Sequence, residues 1–486
     1  MTLTPSCAAD ASLRLLPLVV DLDGTLLRSD ILLESALVFV KAQPLRLLAP
    51  LAWLAKGKAH LKERLAHSVD LNVASLPYDP AVIALIETER GKGRKVVLAT
   101  ASHRRYAEQI AEHLQLFDQV LASDGQTNLT DKAKRDCLVA AFGERGFDYV
   151  GNSMDDLSVW SAARHAYVAN PERGVLGRAQ VQGNVEQVLD QHRAGLKDWL
   201  KALRVHQWMK NLLIFVPLLA GHQLNNPALL LKAVIAFVLF GLCASSVYLL
   251  NDLLDLEDDR HHPTKRKRPF AAGVLALKAG VLLCPLLLVL AFAGAACWLP
   301  WPFMAALGLY YVITLAYSIW LKRLMVVDVI TLAALYTMRI IAGAMAVALV
   351  PTFWLLAFSM FVFLSLALVK RYAELRVARS KGHTDKARGR GYYPDDLEMI
   401  ASMGAASGYL SVMVLALYIQ DGATAAMYRH PEIIWSACPL LLFWISRMWM
   451  LTHRGAMHDD PIVFAIKDRV SLVTCGLIAL VFWLAT

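Results

Sequence analysis

The sequence has no CxxC pair. Its seven cysteines (Cys7, Cys137, Cys243, Cys284, Cys297, Cys438 and Cys475) are scattered, most of them inside apolar runs. That spacing excludes a zinc ribbon and offers no disulfide framework, so small buried hydrophobes are the expected role. The N-terminus has no basic stretch leading into an apolar one, and no cleavable secretory signal is expected. A concentrated basic face is also missing. The net charge is +9, but lysines and arginines gather in loops between apolar segments. This argues against a nucleic-acid partner and for a positive-inside membrane pattern. Charge is what the second half has least of, and its membrane-length apolar stretches set the mean hydropathy of +0.45. At 486 residues, two domains are expected.

The first about 170 residues read as a soluble α/β domain of ordinary size. Short apolar runs at 16–20, 95–99, 119–122, 149–151 and 167–169 alternate with helix-length polar segments. That pattern predicts a parallel sheet covered by helices, with chemistry at the strand C-termini. Residues 29–90 interrupt it as an insertion rich in Leu, Ala, Lys and Arg at helical spacing. The strand ends carry the polar residues: Asp21 and Asp23 in the run DLDGT, Thr100 (or Ser102), Lys134, and the loop GNSMDD at 151–156. This set resembles the haloacid dehalogenase superfamily in its phosphatase form. The resemblance implies a Rossmann-like domain over residues 1–180 with a helical cap at about 29–90. It makes Asp21 the nucleophile and Asp23 the general acid/base, with Thr100 and Lys134 on the phosphoryl oxygens. Asp21, Asp23 and Asp156 would face Mg²⁺. Lys134 is preferred to Lys132 because Leu138 follows it at helical spacing. Asn152 stands where the family usually has an Asp, which removes one metal-facing charge.

Residues 185–203 carry Val188, Leu189, Leu196, Trp199, Leu200 and Leu203 flanked by Lys197, Lys201 and Arg204. They predict an amphipathic linker helix over 181–204, lying on a bilayer surface. A membrane domain follows at 205–486. Nine apolar spans are expected, at 208–219, 228–250, 276–298, 303–320, 326–349, 353–369, 400–419, 433–450 and 471–485. Basic residues concentrate after the even-numbered spans, so that side, with the N-terminal domain, is expected to be cytoplasmic.

The second span runs into Asn251-Asp252-Leu-Leu-Asp255-Leu-Glu257-Asp258-Asp259 and then the basic run 265–268. On a helix, Asp252, Asp255 and Asp259 at i, i+3 and i+7 share one face, where they repel and need a counter-ion. Mg²⁺ holding a diphosphate would satisfy them, with Lys265 and Arg268 meeting the remaining phosphate charge. Three further constellations belong to the same side: Lys210-Asn211; Tyr317, Lys322 and Asp328; and Lys370-Arg371-Tyr372-Ala373-Glu374-Leu375.

Asn251, Asp252, Asp255 and Asp259 resemble the NDxxDxxxD motif of the UbiA-type intramembrane prenyltransferases. The continuation from His262 to Pro269, and residues 370–375, are similar to the branch that makes polyprenyl-phosphoryl ribose. The resemblance implies an all-α membrane bundle of about nine helices in a bacterial inner membrane. It also implies transfer of 5-phosphoribose from phosphoribosyl pyrophosphate to a polyprenyl (decaprenyl) phosphate. Mg²⁺ on Asp252, Asp255 and Asp259 would hold the pyrophosphate, with Asn251 orienting it. Lys210, Asn211, Lys265, Arg268, Tyr317, Lys322, Lys370, Arg371 and Glu374 would meet substrate. Aromatic-acid prenyltransferases of quinone or haem biosynthesis, the alternative, usually carry a second DxxxD motif. Here Asp328 is followed four residues on by Leu332. A non-catalytic membrane scaffold is a third reading, and the sequence leaves room for a homo-oligomer.

Overall fold

The computed structural model describes residues 15–124, 129–189, 194–382, 384–385, 390–422, 428–457 and 460–486. The chain forms two compact units, Met1–Ala202 with Leu249–Leu283, and Leu203–Tyr248 with Cys284–Thr486.

The first unit is built on six parallel strands: β1 (Leu18–Val20), β2 (Val96–His103), β3 (Gln119–Ser123), β4 (Asp148–Gly151), β5 (Ala166–Val168) and β6 (Val185–Val188). Their order is β3-β2-β1-β4-β5-β6. Alternate residues feed two buried layers, as the two-residue period of a strand requires. Leu18, Val20, Val96 and Leu98 enter one hydrophobic cluster, and Val19, Val97 and Ala99 the other. The insertion between β1 and β2 is helical at Ile31–Ala42, Ala49–Leu54 and Lys58–Ser68.

The linker departs from the sequence reading. Residues 185–188 are not the start of a helix but β6, paired with β5 through Ala166↔Val185 and Val168↔Val188. Gly183, at φ +78°, ends the preceding helix Val175–Gln182, and the Asn184 amide donates to the Trp160 carbonyl. The chain therefore enters extended, and Val-Glu-Gln-Val continues the sheet. Among the described residues the linker's remaining helix is Leu196–Ala202, and 190–193 lie outside them.

At the N-terminal edge of β4, buried Asp148 accepts from Arg164 Nε at 2.9 Å and Nη2 at 2.7 Å, and from Arg94. Burial alone would raise this carboxyl, but the two guanidinium groups more than offset it and hold it below its ordinary value. A depressed folded value contributes stability that is present above the unfolded value near about 3.9 and is lost as pH falls through the folded one. Asp148→Asn leaves Arg94 inadequately paired, at an expected cost of about 3–5 kcal/mol. Hydrogen exchange at β1 and β4 in the full chain should show this loss above pH 5, with the gap to wild type closing at strongly acid pH.

The second unit is helical and apolar. Among the described residues, seven helices are long and apolar enough to cross a membrane: Pro227–Leu254, Leu277–Trp298, Trp301–Ile319, Val327–Ala346, Phe353–Ser380, Pro394–Gln420 and Pro431–His453. The pair Pro461–Lys467 and Arg469–Ala485, bent by 84°, makes an eighth if it is one span. Where nine spans were expected, seven or eight candidates are thus found among the described residues. The last bends because Asp468 caps Arg469–Ala485 through the Ser471 amide. The first expected span is a 3₁₀ helix, Val205–Phe215, followed by the short helix Val216–Ala220, which Pro217 opens. This segment packs against two glycines. A Cβ on Gly343 would lie 2.1 Å from the Ile214 carbonyl oxygen, and one on Gly241 2.7 Å from the Trp208 ring.

Candidate functional site

Three groups of polar residues stand out. The first lies at the C-terminal ends of β1, β2 and β4. The sharp turn after β1 requires Gly24: its φ is +76°, and a Cβ there would fall 2.2 Å from Asn152 Nδ2. Asp21 Oδ1 accepts from Lys134 Nζ at 2.7 Å, and that lysine also donates to the Tyr149 hydroxyl at 3.0 Å. Lys132 is exposed. Asp23 accepts from the Ile31 amide at 2.8 Å and from the Ser102 hydroxyl at 2.6 Å. A register shift in β2 between Thr100 and His103 aims Ser102 there, while buried Thr100 accepts the Ser102 amide instead. Of the two strand-end hydroxyls weighed from the sequence, it is that of Ser102 rather than Thr100 that reaches Asp23, while Thr25 donates to Asp21 at 3.5 Å.

Asp156 braces the 151–156 loop. One of its oxygens accepts from the Asn152 and Ser153 amides and the Ser153 hydroxyl, each at 2.9 Å, and the other from Tyr149 at 2.8 Å, with Lys134 Nζ 3.7 Å away. Burial pushes Asp21 up to about 6, against the pull of Lys134. Burial, with Asp30 adding to it, pushes Asp23 up to about 7. Two carboxylates, of which, among the described residues, Asp21 alone has a lysine at ion-pair distance, fit a divalent cation. A group near neutrality is also suited to acid/base work. Lys62, from the cap helix Lys58–Ser68, donates to the Ala101 carbonyl at 2.6 Å beside them.

The second group is the aspartate-rich segment, which also belongs to the first unit. The expected continuous helix breaks. Pro227–Leu254 ends, Asp255 adopts φ −102°, ψ 19°, and Leu256–His261 follows. The three aspartates therefore do not share one face. Asp252 and Asp259 converge on Arg268 Nη1 at 3.1 and 2.5 Å, whereas Asp255 turns to Lys41 of the cap at 3.2 Å. Among the described residues no cluster of three His, Cys, Asp or Glu forms a ready metal cage. Two hard carboxylates aimed at one cationic nitrogen nevertheless fit Mg²⁺, which takes one or two carboxylates and completes its shell from phosphate and water. Burial keeps Asp259 above its ordinary range despite Arg268. Lys265 is exposed on the turn Lys265–Lys267.

Cap and segment are joined by a second, buried ion pair that the sequence did not reveal. Arg260 donates to Glu34 at 2.6 and 3.2 Å, and Asn72 to Glu257 at 3.1 Å. Helix Ile31–Ala42 thus touches Asp23 through its first amide and Asp255 through Lys41 near its last turn. Glu34→Ala, which strands buried Arg260, should destabilise the first unit by about 3–5 kcal/mol. Glu34→Leu combined with Arg260→Met should recover most of it, read from urea unfolding of the full chain.

The third group lies in the second unit. Lys370 and Arg371 are adjacent but serve different carboxylates. Lys370 approaches Asp460 at 3.5 Å, a residue also bound by Lys210 at 2.7 Å. Arg339, fully enclosed, donates to Asn211 Oδ1 at 3.1 Å and the Tyr310 hydroxyl at 3.2 Å. Three cations thus gather around Asp460, and Asn211 Nδ2 is buried with no protein partner. Arg371 meets Asp328 at 3.0 Å with both side chains fully buried, and it also pairs with Glu374. Tyr317 donates to Asp328 at 3.0 Å and accepts from Arg390 at 3.0 Å. Lys322 is half-buried on the turn Leu321–Arg323. Residues 383 and 386–389 of the expected basic loop lie outside the described residues. Asp460 and Arg339 were missed because nothing near them in sequence marks them.

Comparison with known proteins matches residues 212–472 to the UbiA prenyltransferase family and residues 18–160 to haloacid dehalogenase-like hydrolases. An uncharacterized protein of Sinorhizobium fredii is 38% identical over 97% of this chain and 91% of its own length. Nodulation protein NoeC of Azorhizobium caulinodans is 37% identical over 57% of this chain and 89% of its own. Decaprenyl-phosphate phosphoribosyltransferase of Mycobacterium tuberculosis is 33% identical over 59% and 92%. The family match covers more than half of the chain, and the long apolar helices make it a multi-pass membrane protein. The chain belongs to the UbiA prenyltransferase family and carries a haloacid dehalogenase-like domain at its N-terminus.

Proposed function

We propose that the chain transfers 5-phosphoribose from phosphoribosyl pyrophosphate to a polyprenyl phosphate, and that its N-terminal domain then removes the 5-phosphate. The carrying observation is the state of Asp328. In an enzyme using a second metal-binding aspartate motif, this carboxylate would be open to a cation. Here it is neutralised inside the protein by Arg371, beside Arg390. With Glu374 also paired to Arg371, the group is charge-balanced and closed, which leaves Asp328 unsuited to hold the metal of a prenyl diphosphate donor. The similarity to decaprenyl-phosphate phosphoribosyltransferases over most of their length supports the same substrates.

In this reading an oxygen of the lipid phosphate attacks the anomeric carbon of the ribose as the bond to pyrophosphate breaks. Asp252 and Asp259 would hold Mg²⁺, which when bound would neutralise charge on the leaving group as a Lewis acid. Asn251 orients the donor, and Arg268 and Lys265 take phosphate charge. Lys210, Lys370 and Arg339 supply the surplus positive charge around Asp460, and the open Asn211 amide offers a donor. In the N-terminal domain, Asp21 attacks phosphorus and Asp23 protonates the departing sugar oxygen. Asp23 then takes a proton from the water that releases phosphate from Asp21.

The cap and the aspartate-rich segment share one compact unit, which favours a return crossing between residues 203 and 254. The eleven-residue 3₁₀ helix Val205–Phe215 rises about 22 Å at roughly 2 Å per residue. The five residues Val216–Ala220 add about 8 Å, together close to the roughly 30 Å bilayer core. Basic residues on the side of Lys265 and Lys322 favour a cytoplasmic N-terminal domain in a bacterial inner membrane. The test is transfer by purified enzyme with two alternative donors. Label should reach the lipid phase from phosphoribosyl pyrophosphate with polyprenyl phosphate as acceptor. Transfer only from a prenyl diphosphate to an aromatic acid would establish the alternative.

A further inference from the structure

We infer that the cap segment Pro44–Leu54 is a membrane finger, whose leucines enter the interface of an anionic lipid bilayer. The segment is a short 3₁₀ turn, Pro44–Arg46, followed by the helix Ala49–Leu54. Leu45 is fully exposed, Leu47, Leu48 and Leu51 are more than half exposed, and Leu54 is also exposed. Five large apolar side chains face outward within eleven residues, which a water-facing cap would not sustain. They are not there through loose packing. Trp53, on the same helix, packs on buried Phe39 at 5.1 Å and lies under the Arg64 guanidinium at 5.4 Å, so the helix is anchored and its leucines are presented.

Charge and position say what covers them. No acidic residue occurs between Glu34 and Glu63, whereas Lys41, Arg46, Lys56, Lys58 and Lys62 do. An apolar ridge flanked by cations suits an anionic headgroup layer. The same compact unit contains the end of membrane-length helix Pro227–Leu254 and the start of Leu277–Trp298. Lys41, three residues before Pro44, holds Asp255, the residue that directly follows Leu254. The finger therefore begins where a membrane-length helix ends. The next helix, Lys58–Ser68, carries Lys62 to the Ala101 carbonyl beside Asp23, so the finger also sets the phosphatase mouth at headgroup level. This inference does not depend on the substrate proposed above.

The test places single cysteines at Leu45, Leu48 and Leu51, and a control at exposed Glu87, in full-length protein whose native cysteines are replaced. The cysteines carry spin labels, and the protein sits in nanodiscs with one copy per disc. All four positions are exposed, so no packed side chain is lost. The finger labels should collide several-fold more with oxygen than with an aqueous nickel chelate, and the control label should do the reverse. This lipid signature should weaken when anionic lipid is replaced by zwitterionic lipid or when Lys56→Glu and Lys58→Glu are combined. Water-like access at all three finger positions would overturn the inference. So would shielding from both reagents that appears only with two copies per disc, which marks a copy-to-copy contact. Access independent of lipid charge would overturn the assignment to an anionic surface.

Discussion

Asp252→Asn should lower phosphoribosyl transfer by on the order of a hundred- to a thousandfold, the scale of losing a charge-stabilising group at a reacting centre. The protein should stay folded and inserted. Asparagine has the same shape, and its amide oxygen can still accept from Arg268, which now sits 3.1 Å from Asp252. What disappears is one of two negative charges converging on a single point. Mg²⁺ bound by one carboxylate and a diphosphate is held far less firmly than by two. Asp258→Asn is the matched control. It removes a charge from the same segment, but Asp258 is more than half exposed and pairs outward with Lys41. That variant should retain near wild-type activity. Near wild-type transfer by Asp252→Asn at saturating Mg²⁺ would remove the aspartate-rich segment from the catalytic centre.

The second large effect is expected from Asp21→Asn. Without a carboxylate nucleophile no phosphoryl-aspartate forms, so the lipid product should keep its 5-phosphate while transfer itself continues. Mass analysis of the lipid extract reads both at once. Asn152 reduces the negative charge facing this site, which predicts slow turnover rather than none. If intact enzyme and Asp21→Asn both leave the 5-phosphate in place, the N-terminal domain acts on another substrate or only binds. Lys134 and Tyr149 are poor choices for the same test. Lys134 bonds to both Asp21 and Tyr149, and Tyr149 to Asp156, so either change disturbs the fold of the loop as well as the chemistry.

What was legible in the sequence was whatever local spacing encodes. Asp21, Asp23, Gly24 and the Asn251–Asp259 run declare themselves because their residue types sit a few positions apart on one strand end or one helix end. The five strands of the expected sheet are legible for the same reason. Partners distant in the chain were not. Glu34 meets Arg260 across 226 positions and Lys210 meets Asp460 across 250, and neither acid lies in a recognisable pattern. The helical spacing of Val188, Leu189, Leu196 and Trp199 favoured a linker helix. Gly183 and the open edge of β5 gave the chain a better use for residues 185–188, which became β6. The three-aspartate face failed for a similar reason. The i, i+3, i+7 rule assumes an unbroken helix, and Asp255 leaves it to meet a lysine supplied by the cap.

The most direct measurement uses phosphoribosyl pyrophosphate labelled separately in the ribose carbons and in the β-phosphate, incubated with the full-length enzyme, polyprenyl phosphate and Mg²⁺. The ribose label should pass into the lipid phase while the β-phosphate label stays in water as pyrophosphate, and both should depend on Asp252. Ribose label remaining entirely in the aqueous phase, with intact donor recovered, would contradict the account.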